Sequence, residues 1–238
     1  MLSVLIVIHI HLLLSGAVKP KCTAMLKNPN CTVPNLFLHL GKTGGTTFIN
    51  YTSHYRPLIE HVRHKKVSLK RVCGHHCAVI FVRDPIDRWI SGYYSRYRRG
   101  CPQYCSNWTQ CETKYFEQYP SVGALAEALG DNSNSSEIYH AQQMVNCIGH
   151  LWLNFAFYLK GLETGYTKIG YVGLTDNLTT EFQHFTKKFN MTQISNHSFE
   201  RFHTNHVNKT HVLSEKGRLN LIQFLAKDYY YMDVLWKK

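Results

Sequence analysis

The stretch from Asn35 to Phe48, NLFLHLGKTGGTTF, constrains the fold more than any other part of the chain. Its first half, Asn35 to Leu40, is a short apolar run bounded by Pro34 and Gly41, the pattern of a buried strand. A Gly/Thr turn follows, and then a helix expected from Thr46 to about Ser53. A helix N-terminus supplies backbone N–H groups and a favourable dipole for an anion. Gly44 and Gly45 let the backbone turn and approach a ligand closely. Lys42 adds a point charge, and Thr46 and Thr47 add hydroxyl donors. Lys42, Thr43, Gly44, Gly45, Thr46 and Thr47 together read as a phosphate cradle. The ATP-binding loop G-x-x-x-x-G-K-[ST] is a poor match: Gly41-Lys42-Thr43 supplies its end, but its first glycine would fall on Leu36, inside the strand. A nucleotide kinase is disfavoured accordingly.

A second strand-to-helix turn has complementary chemistry. Ala78 to Val82 is a buried strand, Arg83 stands at its carboxyl end, Asp84 can cap the next helix and Pro85 suits its first turn. That helix is expected to reach about Arg99, which puts Ser91 about two turns into it. Arg83 and Ser91 can hold a second phosphate group. Ligands of parallel sheets sit outside the carboxyl ends of the strands, so both turns are expected to open into one crevice.

Further along, Lys168 to Leu174 reads as a third strand, followed by a helix capped by Thr175 or Asp176 and running through Phe189. Helical patterns lie near 120–129 and 136–148, while 56–72 and 100–112 read as irregular. Ser214 opens a final helix with an expected apolar set of Leu219, Ile222, Leu225, Ala226 and Tyr229. Strands alternating with helices define the fold class as α/β, a single P-loop-like domain over 34–238 with a central parallel sheet flanked by helices.

The remaining signals concern compartment. Leu2 to Val18 is mostly apolar, and Ser15-Gly16-Ala17 resembles a small-residue cleavage site, so residues 1–18 read as a signal-anchor or a cleaved signal peptide, followed by a short stem over 19–33. Eight N-x-[ST] sequons begin at Asn30, Asn50, Asn107, Asn134, Asn177, Asn190, Asn196 and Asn208, which points to a glycoprotein; Asn50 stands too near the cradle to be an expected glycan site. The eight cysteines read as disulfides, and the close set Cys101, Cys105 and Cys111 is expected to staple a loop. The formal charge of +12 favours a polyanionic partner without choosing among nucleic acid, acidic membrane and anionic glycan.

Lys42 to Thr47 resembles the 5'-phosphosulfate loop of sulfotransferases, and Arg83-Asp84-Pro85 with Arg88 and Ser91 resembles their 3'-phosphate motif. His39 to Phe48 is most similar to heparan sulfate 6-O-sulfotransferases. Asp84 to Arg88 with Gly92-Tyr93-Tyr94 is similar to the uronyl 2-O-sulfotransferases of heparan and dermatan sulfate. The resemblance implies a Golgi carbohydrate sulfotransferase that uses the donor 3'-phosphoadenosine-5'-phosphosulfate (PAPS), needs no metal and sulfates a glycosaminoglycan, with no nucleic-acid partner. It implies a lumenal catalytic domain held at the Golgi membrane by the N-terminal segment as a single-pass type II protein, or secreted if that segment is cleaved. Relatives place a catalytic base between the two donor motifs, which points here to His76 by a Cys-Gly-x-His reading of Cys73-Gly74-His75-His76-Cys77, or to His75 by a Gly-His reading. His76 is preferred, and Glu60 is a weaker candidate. Zinc binding at Cys73, His75, His76 and Cys77 is disfavoured by their compressed spacing. Lys42 is the expected stabiliser of the leaving phosphate, and Arg96, Arg98 and Arg99 are expected to meet the acceptor. The alternative is a non-catalytic lumenal heparin- or glycan-binding protein.

Overall fold

Ala78 to Val82 is five apolar residues in succession, every one of them buried, and such a strand needs cover on both faces. The computed structural model of the chain, which describes residues 36–53, 59–63, 78–101, 105–130, 134–160, 169–191 and 213–236, provides that cover. The leader, the stem, Cys22, Cys31, the segment Cys73 to Cys77 with His75 and His76, and the basic residues Lys65, Lys66, Lys70 and Arg71 lie outside the described residues.

Four strands, β1 (Leu36–His39), β2 (Glu60–Arg63), β3 (Ala78–Val82) and β4 (Ile169–Leu174), form one parallel sheet in the order β2-β1-β3-β4. The register pairs Leu36 with Glu60 on one side of β1 and with Ala78 on the other. Chain order therefore runs outward in both directions from the gap between β1 and β3, which is the switch point where parallel sheets bind ligands. Both phosphate-type turns leave the sheet at this gap.

Ten helices are described: α1 (Gly45–Tyr51), α2 (Pro85–Tyr97), α3 (Gln110–Gln118), α4 (Val122–Ala128), α5 (Ser135–Cys147), α6 (Gly149–Trp152), α7 (Phe155–Leu159), α8 (Leu178–Lys188), α9 (Glu215–Phe224) and α10 (Ala226–Trp236). One sheet face packs Phe37, Val79 and Phe81 against Phe48 of α1 and Phe182 and Phe185 of α8. The other packs Leu36, Leu38, Ile80 and Val82 against Phe155 and Leu159 of α7 and Tyr231 and Leu235 of α10. Strand side chains alternate between faces, so β1 and β3 feed both layers at once. A third core, led by Trp89, Tyr93, Phe116, Leu125, Met144 and Leu221, joins α2 to α3, α4, α5 and α9. The α/β class with a central parallel sheet flanked by helices is the observed architecture.

Several local expectations are corrected. β2 lies inside the stretch read as irregular, because Glu-His-Val-Arg has no strong strand pattern and forms by pairing with β1. α3 begins at Gln110, inside the supposed loop, on a Thr109–Glu112 capping box. α2 stops at Tyr97, where Arg99 and Gly100 turn left-handed. Asn177, rather than Thr175 or Asp176, caps α8, with its side chain accepting from the Thr180 N–H; Thr175 instead donates from both its N–H and its hydroxyl to the Val82 carbonyl. The final helix divides at Leu225, and its inward residues are Leu221, Leu225, Asp228, Tyr231 and Leu235, while the expected Leu219 and Ile222 are exposed. Cys101 pairs with Cys105, but Cys111 leaves that staple and pairs with Cys147, joining α3 to α5. Among the described residues no helix is long and apolar enough to cross a membrane.

Candidate donor site

The first turn is built against local backbone preference. Lys42 and Gly44 both have positive φ, 67° and 73°, and they flank Thr43. For glycine this is ordinary, but for lysine it costs on the order of 1 kcal/mol and persists only where the surroundings enforce it. Enforcement is visible on every side. The buried Thr43 hydroxyl donates to the Leu40 carbonyl at 2.9 Å. The Phe48 N–H donates to the Gly44 carbonyl at 3.0 Å, closing the first turn of α1. Gly44 caps α1 without any side-chain cap bond. Gly45 has no room to be anything else: a Cβ there would fall 1.9 Å from the His39 ring. Thr47 is buried and Thr46 half-buried in the same turn.

The residue ahead of Lys42 is clamped more firmly still. Arg88 is completely buried, and its Nη1 donates to the Gly41 carbonyl at 3.2 Å and to the His150 carbonyl at 3.3 Å. Its guanidinium lies over the Phe155 ring at 5.2 Å, and its Nη2 is 3.9 Å from Asp228 Oδ2. The Gly41 amide also hydrogen-bonds the buried Tyr158 hydroxyl, so both ends of the Gly41 residue are held. Arg88, grouped by its motif with the phosphate ligands, thus supports the turn from beneath.

The second turn has its own supports. Asp84 Oδ1 accepts the Asp87 N–H at 3.0 Å, which starts α2 as expected. Its other oxygen accepts from the Tyr229 hydroxyl at 3.2 Å. Arg83 follows β3 directly, half-buried, with a buried Nε that meets no hydrogen-bond partner among the described residues. Ser91 is buried one turn beyond Arg88 on α2. Gly92 lets α2 meet α6 closely, since a Cβ there would lie 3.1 Å from both His150 Cβ and the His150 carbonyl.

The two turns share one electrostatic field. Burial first, then the charges of Arg98 and Arg83, press the Lys42 ammonium from 10.5 down to about 8. No carboxylate among the described residues forms an ion pair with Lys42 or Arg83. Cations with no ion-paired carboxylate among the described residues raise the local positive potential, the kind of field that attracts anions.

The profile described as "Sulfotransferase family" matches residues 43–236. The chain belongs to the sulfotransferase family. Among curated proteins and solved structures, none matches the chain. In this sulfotransferase the two turns leave adjacent parallel strands at one gap in the sheet, with Arg83 and Arg98 in electrostatic range of Lys42. Arg98, expected on the acceptor side, therefore also acts on Lys42. Arg96 is engaged internally instead: its Nε and Nη2 donate to the two Glu112 oxygens at 2.5 and 2.7 Å, and it also donates to the Ser106 hydroxyl and the Asn107 carbonyl. Arg99 lies over the Trp108 ring at 5.1 Å. His75 and His76 fall outside the described residues, and of Glu60 only the backbone, in β2, is described. Sequence reasoning missed Tyr158, Asp228 and Tyr229 as supports of the donor turns. The available signal was an acidic residue, Asp228, placed directly before the run Tyr229-Tyr230-Tyr231 near the start of α10.

Proposed function

We propose that this sulfotransferase takes its sulfuryl group from PAPS and transfers it to a hydroxyl of a glycosaminoglycan, with heparan sulfate at the 2-O or 6-O position as the first choice. The observation that carries the donor assignment is the pair of strand-to-helix turns at the switch point, where burial and then the charges of Arg98 and Arg83 depress the Lys42 ammonium. The donor carries phosphate at both its 5' and 3' ends, and two cationic turns fit that spacing of charge better than one. Lys42 and the Thr43–Thr47 turn hold the 5' side, and Arg83 with Ser91 holds the 3'-phosphate.

The bound donor supplies an activated S–O bond. The chain supplies position, charge and a proton acceptor. His76, or His75 in the second reading, takes the acceptor hydroxyl proton as that oxygen bonds to sulfur in line with the leaving phosphate oxygen. The ammonium of Lys42 neutralises the charge left on the 5'-phosphate when the S–O bond breaks. Among the described residues no group of three His, Cys, Asp or Glu side chains gathers as a metal site.

The surplus of +12 supports a polyanionic acceptor, with Arg98 and Arg99 facing it. The apolar segment 2–18 supports a lumenal Golgi setting, as a type II anchor or, after cleavage, a secreted form. The described sequon residues Asn107, Asn134, Asn177 and Asn190 are exposed, which leaves them accessible for glycosylation; Asn50 is exposed as well.

The test is incubation with labelled PAPS and a panel of glycosaminoglycans, followed by disaccharide analysis. Label should enter heparan sulfate at a 2-O or 6-O position, and His76→Ala should abolish transfer while retaining donor binding. Donor binding without transfer to any glycan would favour the non-catalytic glycan-binding alternative. Full activity of His76→Ala would move the base to His75 or Glu60.

A further inference from the structure

Two consecutive residues of the C-terminal helix reach the two donor turns separately. Asp228, on α10, is buried; its Oδ1 accepts the Ala156 N–H at the start of α7 at 3.2 Å, and its Oδ2 faces the Arg88 guanidinium. Arg88 in turn donates to the carbonyl of Gly41, the residue preceding Lys42. Tyr229, the next residue, donates its hydroxyl to Asp84 and accepts the Ile86 N–H, so it braces the first turn of α2 beside Arg83. About one helical turn beyond Asp228, Tyr231 packs into the core on the α7 face of the sheet. Burial pushes the Asp228 carboxyl up, with the Arg88 charge opposing it, and burial likewise lowers the Arg88 pKa. Such a pair is a poor source of stability compared with apolar packing, so its retention beneath a ligand site calls for another account.

We infer that α10 is a clamp that sets both donor turns: Asp228 positions the Lys42 turn through Arg88, and Tyr229 positions the Arg83 turn through Asp84. These are positioning residues, since each acts on its turn through another residue, Arg88 or Asp84. The inference rests on the donor reading given above. The clamp makes donor affinity depend on a helix more than 140 residues away in sequence from both turns, counting from Asp84 to Tyr229. It also separates the two ends of the nucleotide: loss of the Asp228 arm loosens the 5' side, and loss of the Tyr229 arm loosens only the 3' side.

Calorimetric titration of the whole chain with adenosine 3',5'-bisphosphate and with adenosine 5'-phosphate tests this. The double variant Arg88→Met with Asp228→Asn removes both buried charges at similar volume and leaves an amide oxygen to accept the Ala156 N–H. It should bind both nucleotides more weakly by on the order of tenfold or more, with the acceptor KM unchanged. Tyr229→Phe deletes one oxygen and should weaken only the 3',5'-bisphosphate, leaving 5'-phosphate affinity at the wild-type value. Wild-type affinity for both nucleotides in both variants overturns the clamp while leaving the donor reading intact. Equal weakening of both nucleotides by Tyr229→Phe also overturns it, because the clamp assigns the Tyr229 arm to the 3' side alone. Failure of the wild-type protein to bind either nucleotide overturns the donor reading and the clamp together.

Discussion

Lys42 carries two costs at once, a left-handed backbone and an ammonium depressed by burial and by the charges of Arg98 and Arg83. An anion bound in the turn offsets the second, which has a measurable pH signature. In the free protein Lys42 loses its proton as pH rises through about 8. A bound anionic donor stabilises the protonated form, so affinity is full below that pH and declines above it, by up to about tenfold per unit. Donor affinity measured between pH 7 and 9.5 should therefore be flat and then fall, and Lys42→Arg, whose guanidinium stays charged, should remove the fall. A decline that persists in Lys42→Arg would assign it to another group. The same depression predicts that the empty protein gains stability as pH rises from about 8 toward 10.5, because the unfolded chain then holds more protons than the folded one. The place of Lys42 in a strand-to-helix turn was legible from the sequence alone. Its strained backbone was not, because the left-handed geometry is imposed by Thr43, Gly41 and Arg88 contacts that no local pattern encodes.

At the scale of elements, the α2–α3 corner shows how a cation expected at the acceptor can be consumed by the fold. Burial raises the Glu112 carboxyl, but hydrogen bonds from Arg96 and from the Thr109 N–H outweigh it and leave the pKa below the usual carboxylate range. One carboxylate thus completes the α3 capping box and ties α3 to the end of α2. Trp108 Nε1 donates to the Arg96 carbonyl at 2.9 Å and seals the same corner. Glu112→Ala removes the cap bond and leaves Arg96 without its carboxylate, and should destabilise by about 2 kcal/mol. Thermal or urea denaturation checks this; a change within a few tenths would show that the corner is held by the Cys111–Cys147 disulfide and aromatic packing instead. The Glu112 contribution is present at neutral pH and fades as pH falls through its lowered pKa. The capping box Thr109-x-x-Glu112 was readable in the sequence, yet the density of cysteines around it suggested a loop. β2 was unreadable for a different reason, since a four-residue edge strand with one apolar residue exists only through its register with β1.

At the scale of the molecule, the alternating strand and helix pattern already implied a parallel sheet, and β1, β3 and β4 stand close to where apolar runs and turn residues put them. Strand order was not legible, and strand order is what brings the β1 and β3 turns together at the switch point. The C-terminal helices were also misjudged: a helical face chosen from Leu219 and Ile222 missed that Asp228 turns inward, because an acidic residue beside aromatics looks solvent-facing until its partner Arg88 is placed. The proposed donor platform draws on three distant parts of the chain, and the central proposal is that the two turns bind one nucleotide through two phosphates. The most direct measurement is a calorimetric titration of adenosine 3',5'-bisphosphate into the wild-type chain, Lys42→Ala and Arg83→Ala, each repeated with adenosine 5'-phosphate. The account predicts one site per wild-type chain and weakening by on the order of tenfold or more for the bisphosphate in both variants. It further predicts that Arg83→Ala leaves 5'-phosphate affinity unchanged while Lys42→Ala reduces it. No binding to the wild-type chain, or bisphosphate affinity indifferent to both substitutions, would contradict it.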